Sequence, residues 1–227
     1  MPSVSLLDRI RRARRDGPAL VVIRHAERFA MAAAEMEAAY RTPLTDAGRE
    51  AARVLGTQLP PDGTLVLHHS TVPRCAETAA RIAEGFRGIG GAARDAGDLD
   101  ALGAEYVRDA AVVLRTFASQ GGRAFVHAWC SGELGEDIVQ EPQAAGRHVL
   151  RTLLALRRDA PPDELHVHVT HDLTLIALLS LVRDVDSRRL PWPPFLDGIA
   201  FALRPDGVVW RHGARRIATD REGRLRG

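Results

Sequence analysis

Six side chains in this sequence are of types that, brought together, could hold a multiply charged oxyanion and move a proton beside it: Arg24, His25, Arg28, Arg74, His171 and Asp172. The rest of the composition narrows how such a site must be built. The chain contains no lysine and no asparagine, so all 31 of its basic side chains are arginine. An anion site must then draw on guanidinium groups, imidazoles or backbone N–H. The planar guanidinium suits this task because its fork grips two oxygens at once. Each candidate has a plainer reading taken singly. Arg24-His25 could be the ordinary polar end of a strand, Arg74 a surface arginine in a first helical turn, His171 a structural histidine and Asp172 a helix N-cap.

What favours a shared site is where they fall. The apolar run Leu20-Val21-Val22-Ile23 stops at Arg24-His25. A second run, Leu65-Val66-Leu67, ends at His68-His69-Ser70, with Pro73 then opening a helix that carries Arg74 in its first turn. A third, from Leu165 to Val169, ends at Thr170-His171-Asp172. Short β-branched runs read as buried parallel strands, and in open α/β sheets ligands sit outside the carboxyl ends of such strands.

The elements that must position these ends alternate between strand and helix. A basic amphipathic helix comes first, with Leu6, Leu7 and Ile10 apolar and a solvated arginine face. Residues 29–40 favour helix on propensity. Thr45 can cap the next helix, with Asp46 at its positive end. Val107, Ala110, Ala111, Leu114, Phe117 and Ala118 form a helical stripe expected to be core. Ala124-Phe125-Val126 is a candidate third strand, 85–97 a glycine-rich loop, and Pro191-Trp192-Pro193-Pro194-Phe195 a rigid surface loop. Ile199 to Leu203 and Val208 to Trp210 flank the turn Pro205-Asp206-Gly207 as a terminal hairpin, followed by a polar, frayed tail. The expected fold is α/β, a doubly wound and mostly parallel sheet with helices on both faces. All 227 residues are read as one domain, with 29–41, 85–105 and 129–141 as candidate lid or substrate-wall segments.

The bulk numbers exclude little beyond the extremes. Hydrophobic content of 45% and charge of 26% are ordinary for a globular chain. A net charge of +2 gives no electrostatic case for a nucleic-acid or membrane partner. Cys75 and Cys130 form no disulfide framework and have no metal-ligand spacing, which points to a reducing, cytoplasmic setting. No apolar run approaches transmembrane length, and the N-terminal segment lacks the apolar centre of a secretory signal. No feature of the sequence specifies an oligomeric state.

The ordered pieces Arg24-His25-Ala26-Glu27-Arg28, Pro43-Leu44-Thr45-Asp46-Ala47-Gly48, Ser70-Thr71-Val72-Pro73-Arg74-Cys75-Ala76-Glu77-Thr78-Ala79 and Thr170-His171-Asp172-Leu173-Thr174 resemble the histidine phosphatase superfamily, with its phosphoglycerate-mutase-like fold. The resemblance implies that His25 is a nucleophile taking the phosphoryl group on a ring nitrogen. It implies that Arg24, Arg74 and His171 form the phosphate pocket. Arg28 falls where the acid-phosphatase branch has a further phosphate-contacting arginine, and Asp172 where that branch has its proton donor. The mutase branch uses a glutamate for this step, for which Glu133 or Glu105 would stand here. His127 and Glu133 are the candidate substrate contacts; His68, His69, His166 and His168 are read as packing or pocket-lining. The family usually has glycine after the first histidine; Ala26 would be strained there if the position required positive φ.

Chemistry agrees with that assignment. Phosphoryl transfer spreads negative charge over three equatorial oxygens, and pre-placed guanidinium and imidazole donors stabilise it without reorganising. Each charge-assisted hydrogen bond is worth about 1.5–3 kcal/mol. Neighbouring arginines would keep His25 neutral and able to attack, with its other ring N–H on an acceptor such as a backbone carbonyl. No metal or other cofactor is expected. The alternatives are a phosphomutase of the same fold, a non-catalytic phospholigand-binding module, and a metal hydrolase built on His171-Asp172, for which the His68-His69 pair is a poor supply of further ligands.

Overall fold

The first strand, β1 (Ala19–Arg24), is buried along its whole length and sits at the centre of the sheet. The computed structural model describes residues 4–30, 36–182, 192–220 and 224. The other strands are β2 (Thr64–His69), β3 (Ala92–Asp98), β4 (Leu165–Thr170), β5 (Gly198–Arg204), β6 (Gly207–His212) and β7 (Arg215–Thr219). They pair in the order β3-β2-β4-β1-β5-β6-β7. The first four are parallel, and β5, β6 and β7 continue the sheet as an antiparallel meander.

Helices α1 (Leu6–Asp16), α2 (Met36–Arg41), α3 (Asp46–Gln58), α4 (Pro73–Gly88), α5 (Ala110–Gln120), α6 (Gly122–Ser131), α7 (Pro142–Arg158) and α8 (Asp172–Ser180) connect the strands. The period-2 alternation of β1 divides them between two cores. Leu20 and Val22 pack with Val149 and Leu153 of α7 and with Leu175 and Ile176 of α8. Val21 and Ile23 pack on the other face with Ile10 of α1, Ala52 of α3, and Ile82 and Phe86 of α4. Helices therefore cover both faces of a largely parallel sheet, the α/β architecture expected from the strand–helix alternation.

Several local expectations are corrected. Residues 124–126 are helical, inside α6. A three-residue apolar run fits either period. Phe125, Val126 and Trp129 are buried together at helical spacing, and that extension decides the element. The end of the glycine-rich 85–97 stretch is the edge strand β3, whose small and charged residues give no apolar signal. It forms by pairing with the open edge of β2, and its charges suit an edge. Within the tail after His212, Arg215–Thr219 pairs as β7. On α1, Arg9 is buried instead of solvated: it donates to the Gly198 carbonyl at 2.6 Å and pairs with Asp197. Pro191 lies outside the described residues. Among those described, no helix is long and apolar enough to cross a membrane.

Beneath the sheet's first core lies a trio of histidines from β2 and β4. The rings of His68 and His168 stack at 5.1 Å and 12°, and His166 lies 6.0 Å from each. His168 is fully buried, and neither of its ring nitrogens has a hydrogen-bond partner. Burial, reinforced by the neighbouring imidazoles, holds His168 well below the ordinary histidine value and lowers His68 to about 4. The unfolded chain therefore takes up protons below pH ~6.5 that the folded chain refuses. Stability is fully present above that pH and is lost as the pH falls toward about 4. Each pKa unit separating the two states weighs about 1.4 kcal/mol, or roughly 3–6 °C in a domain of this size. Calorimetry should show the melting temperature dropping by at least about 5 °C from pH 7 to pH 5. His168→Leu should flatten that drop, and an unchanged slope in the variant would refute the assignment.

Candidate active site

Because β1, β2 and β4 are parallel and adjacent, their carboxyl ends meet on one edge of the sheet. Backbone bonds continue the pairing one residue further, from His25 N–H to the Thr170 carbonyl at 2.9 Å and from Ser70 N–H to the Val169 carbonyl at 3.0 Å. Just beyond, α4 and α8 begin without a side-chain cap. Two helix N-termini with their positive ends thus open onto the same spot, a favourable place for an anion.

His25 is 2% exposed. Its Nδ1 lies 2.7 Å from the Ala26 carbonyl oxygen. A carbonyl can only accept, so Nδ1 carries the proton and Nε2 is left with a lone pair. Arg74 Nε donates to that lone pair at 3.1 Å. Burial first, then Arg74 and His171, lower the His25 pKa to about 2, against a raising contribution from the Ala26 bond. The imidazole is therefore neutral at every working pH. Ala26 lies outside the positive-φ region, where Leu196 (φ 54°) is the one non-glycine among the described residues. No glycine is needed after His25. Ala26 N–H is instead fixed by Thr78 Oγ1 at 3.1 Å, and Thr78 in turn donates to the Arg74 carbonyl at 2.7 Å. Close packing continues at Gly48, where an added Cβ would come within 2.2 Å of the Glu27 carbonyl oxygen. Thr45 caps α3 as expected, accepting from Gly48 N–H at 2.9 Å while its own hydroxyl donates to Glu27.

Arg74 links the two histidines. Besides His25 it reaches His171 Nδ1 at 3.4 Å and the Ala39 carbonyl at 2.8 Å. His171 Nε2 lies 3.0 Å from Ser70 Oγ. An arginine N–H facing Nδ1 places the His171 proton on Nε2, directed at the serine. Burial and the cations Arg74, Arg24 and Arg28 lower the His171 pKa to about 3. The two imidazole rings meet edge-on at 5.5 Å. Ser70 and Thr78, which hold this arrangement, fall inside the recognised 70–79 motif, but nothing in their type marks them among the chain's other hydroxyls.

Arg24 is placed differently from expectation. Both of its backbone groups bond the 196–197 segment, which turns its side chain toward the loop before β5. There it pairs with Asp172 Oδ2 at 2.8 Å, donates to the Pro193 carbonyl at 2.8 Å, and stacks over the Phe195 ring at 4.0 Å. It does not line the cavity beside His25; it stands behind Asp172. Asp172 also accepts from Trp192 Nε1 at 3.0 Å and from Leu173 N–H at 2.9 Å. Trp192 and Phe195 are thus part of the site, with Phe195 5.6 Å from His25. Sequence reading left them on a surface loop because nothing local shows that the chain folds back across β1.

A cavity of about 340 Å³ adjoins these groups. At one end it is lined by His25, Arg28, Arg74, His171 and Asp172. Its far wall includes Val107, Ala110, Val113, Leu114 and Phe117; Val113 belongs to the core and Val107 and Phe117 pack against it, while Ala111 and Ala118 of the expected stripe are exposed, so the stripe is core only in part. Of the candidate wall segments, 29–41 contributes Ala39 and Tyr40 and 85–105 contributes Ala104. His127, on α6, does not line the cavity. Neither does Glu133, which is exposed and accepts from Ser131 at 2.8 Å. Glu105 lies 3.4 Å from His148 and is likewise absent from the wall. Among the described lining residues, Asp172 is the one carboxylate.

A family model described as histidine phosphatase superfamily (branch 1) matches residues 20–198. No curated protein sequence matches. Among solved structures, the chain is similar to a protein titled mycobacterial hydrolase 1, at 16% identity and TM-score 0.56, over 89% of this chain and 100% of that one. It is similar to a mutant phosphoserine phosphatase from Entamoeba histolytica in complex with phosphoserine, at 14% identity and TM-score 0.56, over 86% and 95%. A mycobacterial glucosyl-3-phosphoglycerate phosphatase with inorganic phosphate aligns at 16% identity and TM-score 0.56, over 90% and 99%. Likeness at these identities establishes the fold alone.

Proposed function

The chain belongs to the histidine phosphatase superfamily, and we propose that it hydrolyses a small phosphomonoester through a phosphohistidine on His25, with Asp172 as proton donor. The observation that carries this reading is the orientation of His25: Nδ1–H is locked to the Ala26 carbonyl, and the Nε2 lone pair is turned toward Arg74 at the charged end of the cavity.

A phosphate entering between Arg74, Arg28 and His171 takes over the donors that Arg74 gives to imidazole nitrogens in the ligand-free protein. Nε2 of His25 then attacks phosphorus as the bond to the ester oxygen breaks. Asp172 gives its proton to that oxygen and the alcohol leaves. In the second half a water attacks the phosphohistidine, Asp172 takes the proton back, and phosphate departs with Nε2 free again. The guanidinium groups stabilise charge on the equatorial oxygens throughout. Splitting one displacement into two is the gain from the covalent intermediate.

Asp172 must be protonated when the ester binds. In the ligand-free protein it is an ion-pair partner of Arg24. The arriving phosphate is itself a like charge beside the carboxylate, and that repulsion is relieved when the acid holds a proton. The apolar far wall supports hydrolysis over phosphomutase activity, since among the described lining residues no second cationic cluster waits to hold another phosphate.

The test is phosphate release from an aryl phosphate in EDTA, with acid-quenched and base-quenched protein compared. Turnover is expected in EDTA, with a phosphoenzyme that survives base and is lost in acid, as a phosphoramidate should be. Absence of turnover on every monoester tried would overturn the reading.

A further inference from the structure

Resting on that reading, we infer that the leaving group is an uncharged, hydrocarbon-rich alcohol or phenol of roughly six carbons, held against an apolar wall presented by α5. Ala110, Val113, Leu114 and Phe117 recur at helical spacing along α5 and turn one face into the cavity, and Val107, just before the helix, extends it. Leu114 belongs to neither core and is only half-buried, so its apolar contact is left for a ligand. Val72 continues the surface toward the charged end.

The wall is poor in free polar groups. The two tyrosines that line it are engaged elsewhere: Tyr40 donates to the Thr71 carbonyl at 2.9 Å, and the Tyr106 hydroxyl meets Thr174 Oγ1 at 3.3 Å. Among the described lining residues every charged side chain sits at the phosphate end. A leaving group with hydroxyls, an ammonium or a carboxylate would lose water there and gain no partner, which disfavours it. A hydrocarbon gains on the same surface. Size follows from volume. At about 30 Å³ for each water-sized group, the cavity of about 340 Å³ accepts roughly eleven such groups, of which a phosphate takes five.

The probes are methyl-, butyl- and octylphosphonate, titrated into the full chain by calorimetry beside phosphoserine. Hydrolysis of the matching alkyl phosphates is followed in parallel. Affinity is expected to tighten by roughly two- to fourfold per methylene along the series, with octylphosphonate well ahead of phosphoserine. In Leu114→Gln the octyl-to-methyl affinity ratio should fall about tenfold. Affinity independent of chain length, or phosphoserine binding more tightly than octylphosphonate, would overturn the inference. The two readings separate cleanly. Length-dependent phosphonate binding without hydrolysis of any phosphate would remove the hydrolase reading and leave the apolar subsite standing. Turnover of aryl phosphate with length-independent binding would do the reverse.

Discussion

Replacing His25 by alanine should reduce phosphate release by about ten-thousandfold or more, the largest effect any single change in this protein should have. The argument is structural as well as chemical. Nδ1 is committed to the Ala26 carbonyl and Nε2 to the charged end of the cavity, so the ring is held in the one tautomer that can attack. Burial and the neighbouring Arg74 and His171 lower its pKa to about 2, which leaves the lone pair unprotonated near neutral pH. Two controls separate chemistry from misfolding. Orthophosphate should still bind the variant, because Arg74, Arg28 and His171 remain. Added imidazole, entering the space the ring vacated, should restore a measurable part of the rate. Activity within about tenfold of wild type would remove His25 as nucleophile.

Much of the site is legible in the sequence because it is a property of strand ends. A buried parallel strand is a continuous apolar run, and the residue that ends the run marks the sheet edge where ligands sit. Arg24-His25, Arg74 and His171-Asp172 were locatable for that reason, and the sheet edge does unite β1, β2 and β4. What sequence could not carry was direction within the edge. Arg24 ends its strand as expected, yet its side chain follows the 192–197 loop and not the cavity. That loop is brought back over β1 by a long-range antiparallel pairing with β5, and no local pattern in Trp192 or Phe195 announces it. The fold shows the same division. Strands rich in valine and leucine were evident, while β3, made of small and charged residues, exists because β2 offers an edge. The α5 stripe was only partly legible: periodicity shows that one helix face is apolar, and it cannot say which of its residues meet the core and which meet a cavity.

Asp172→Asn should separate substrates by their leaving groups. For an alkyl phosphate the departing alkoxide is a poor leaving group without a proton, and loss of the donor should cost about a hundred- to a thousandfold in kcat. For para-nitrophenyl phosphate the phenolate leaves as a stable anion, and the same change should cost less than about tenfold. Asparagine keeps the size of the side chain and an oxygen for the Trp192 N–H, so the loop contact survives. It removes the charge that Arg24 pairs with, which is the competing explanation for any loss. The two explanations diverge in what they predict. If Asp172 acts only by anchoring Arg24, both substrates should slow by the same factor, and a donor must be sought elsewhere. Equal losses on the two substrates would therefore remove the carboxylate from the proton transfer, leaving it as the counterion that holds Arg24 against Phe195.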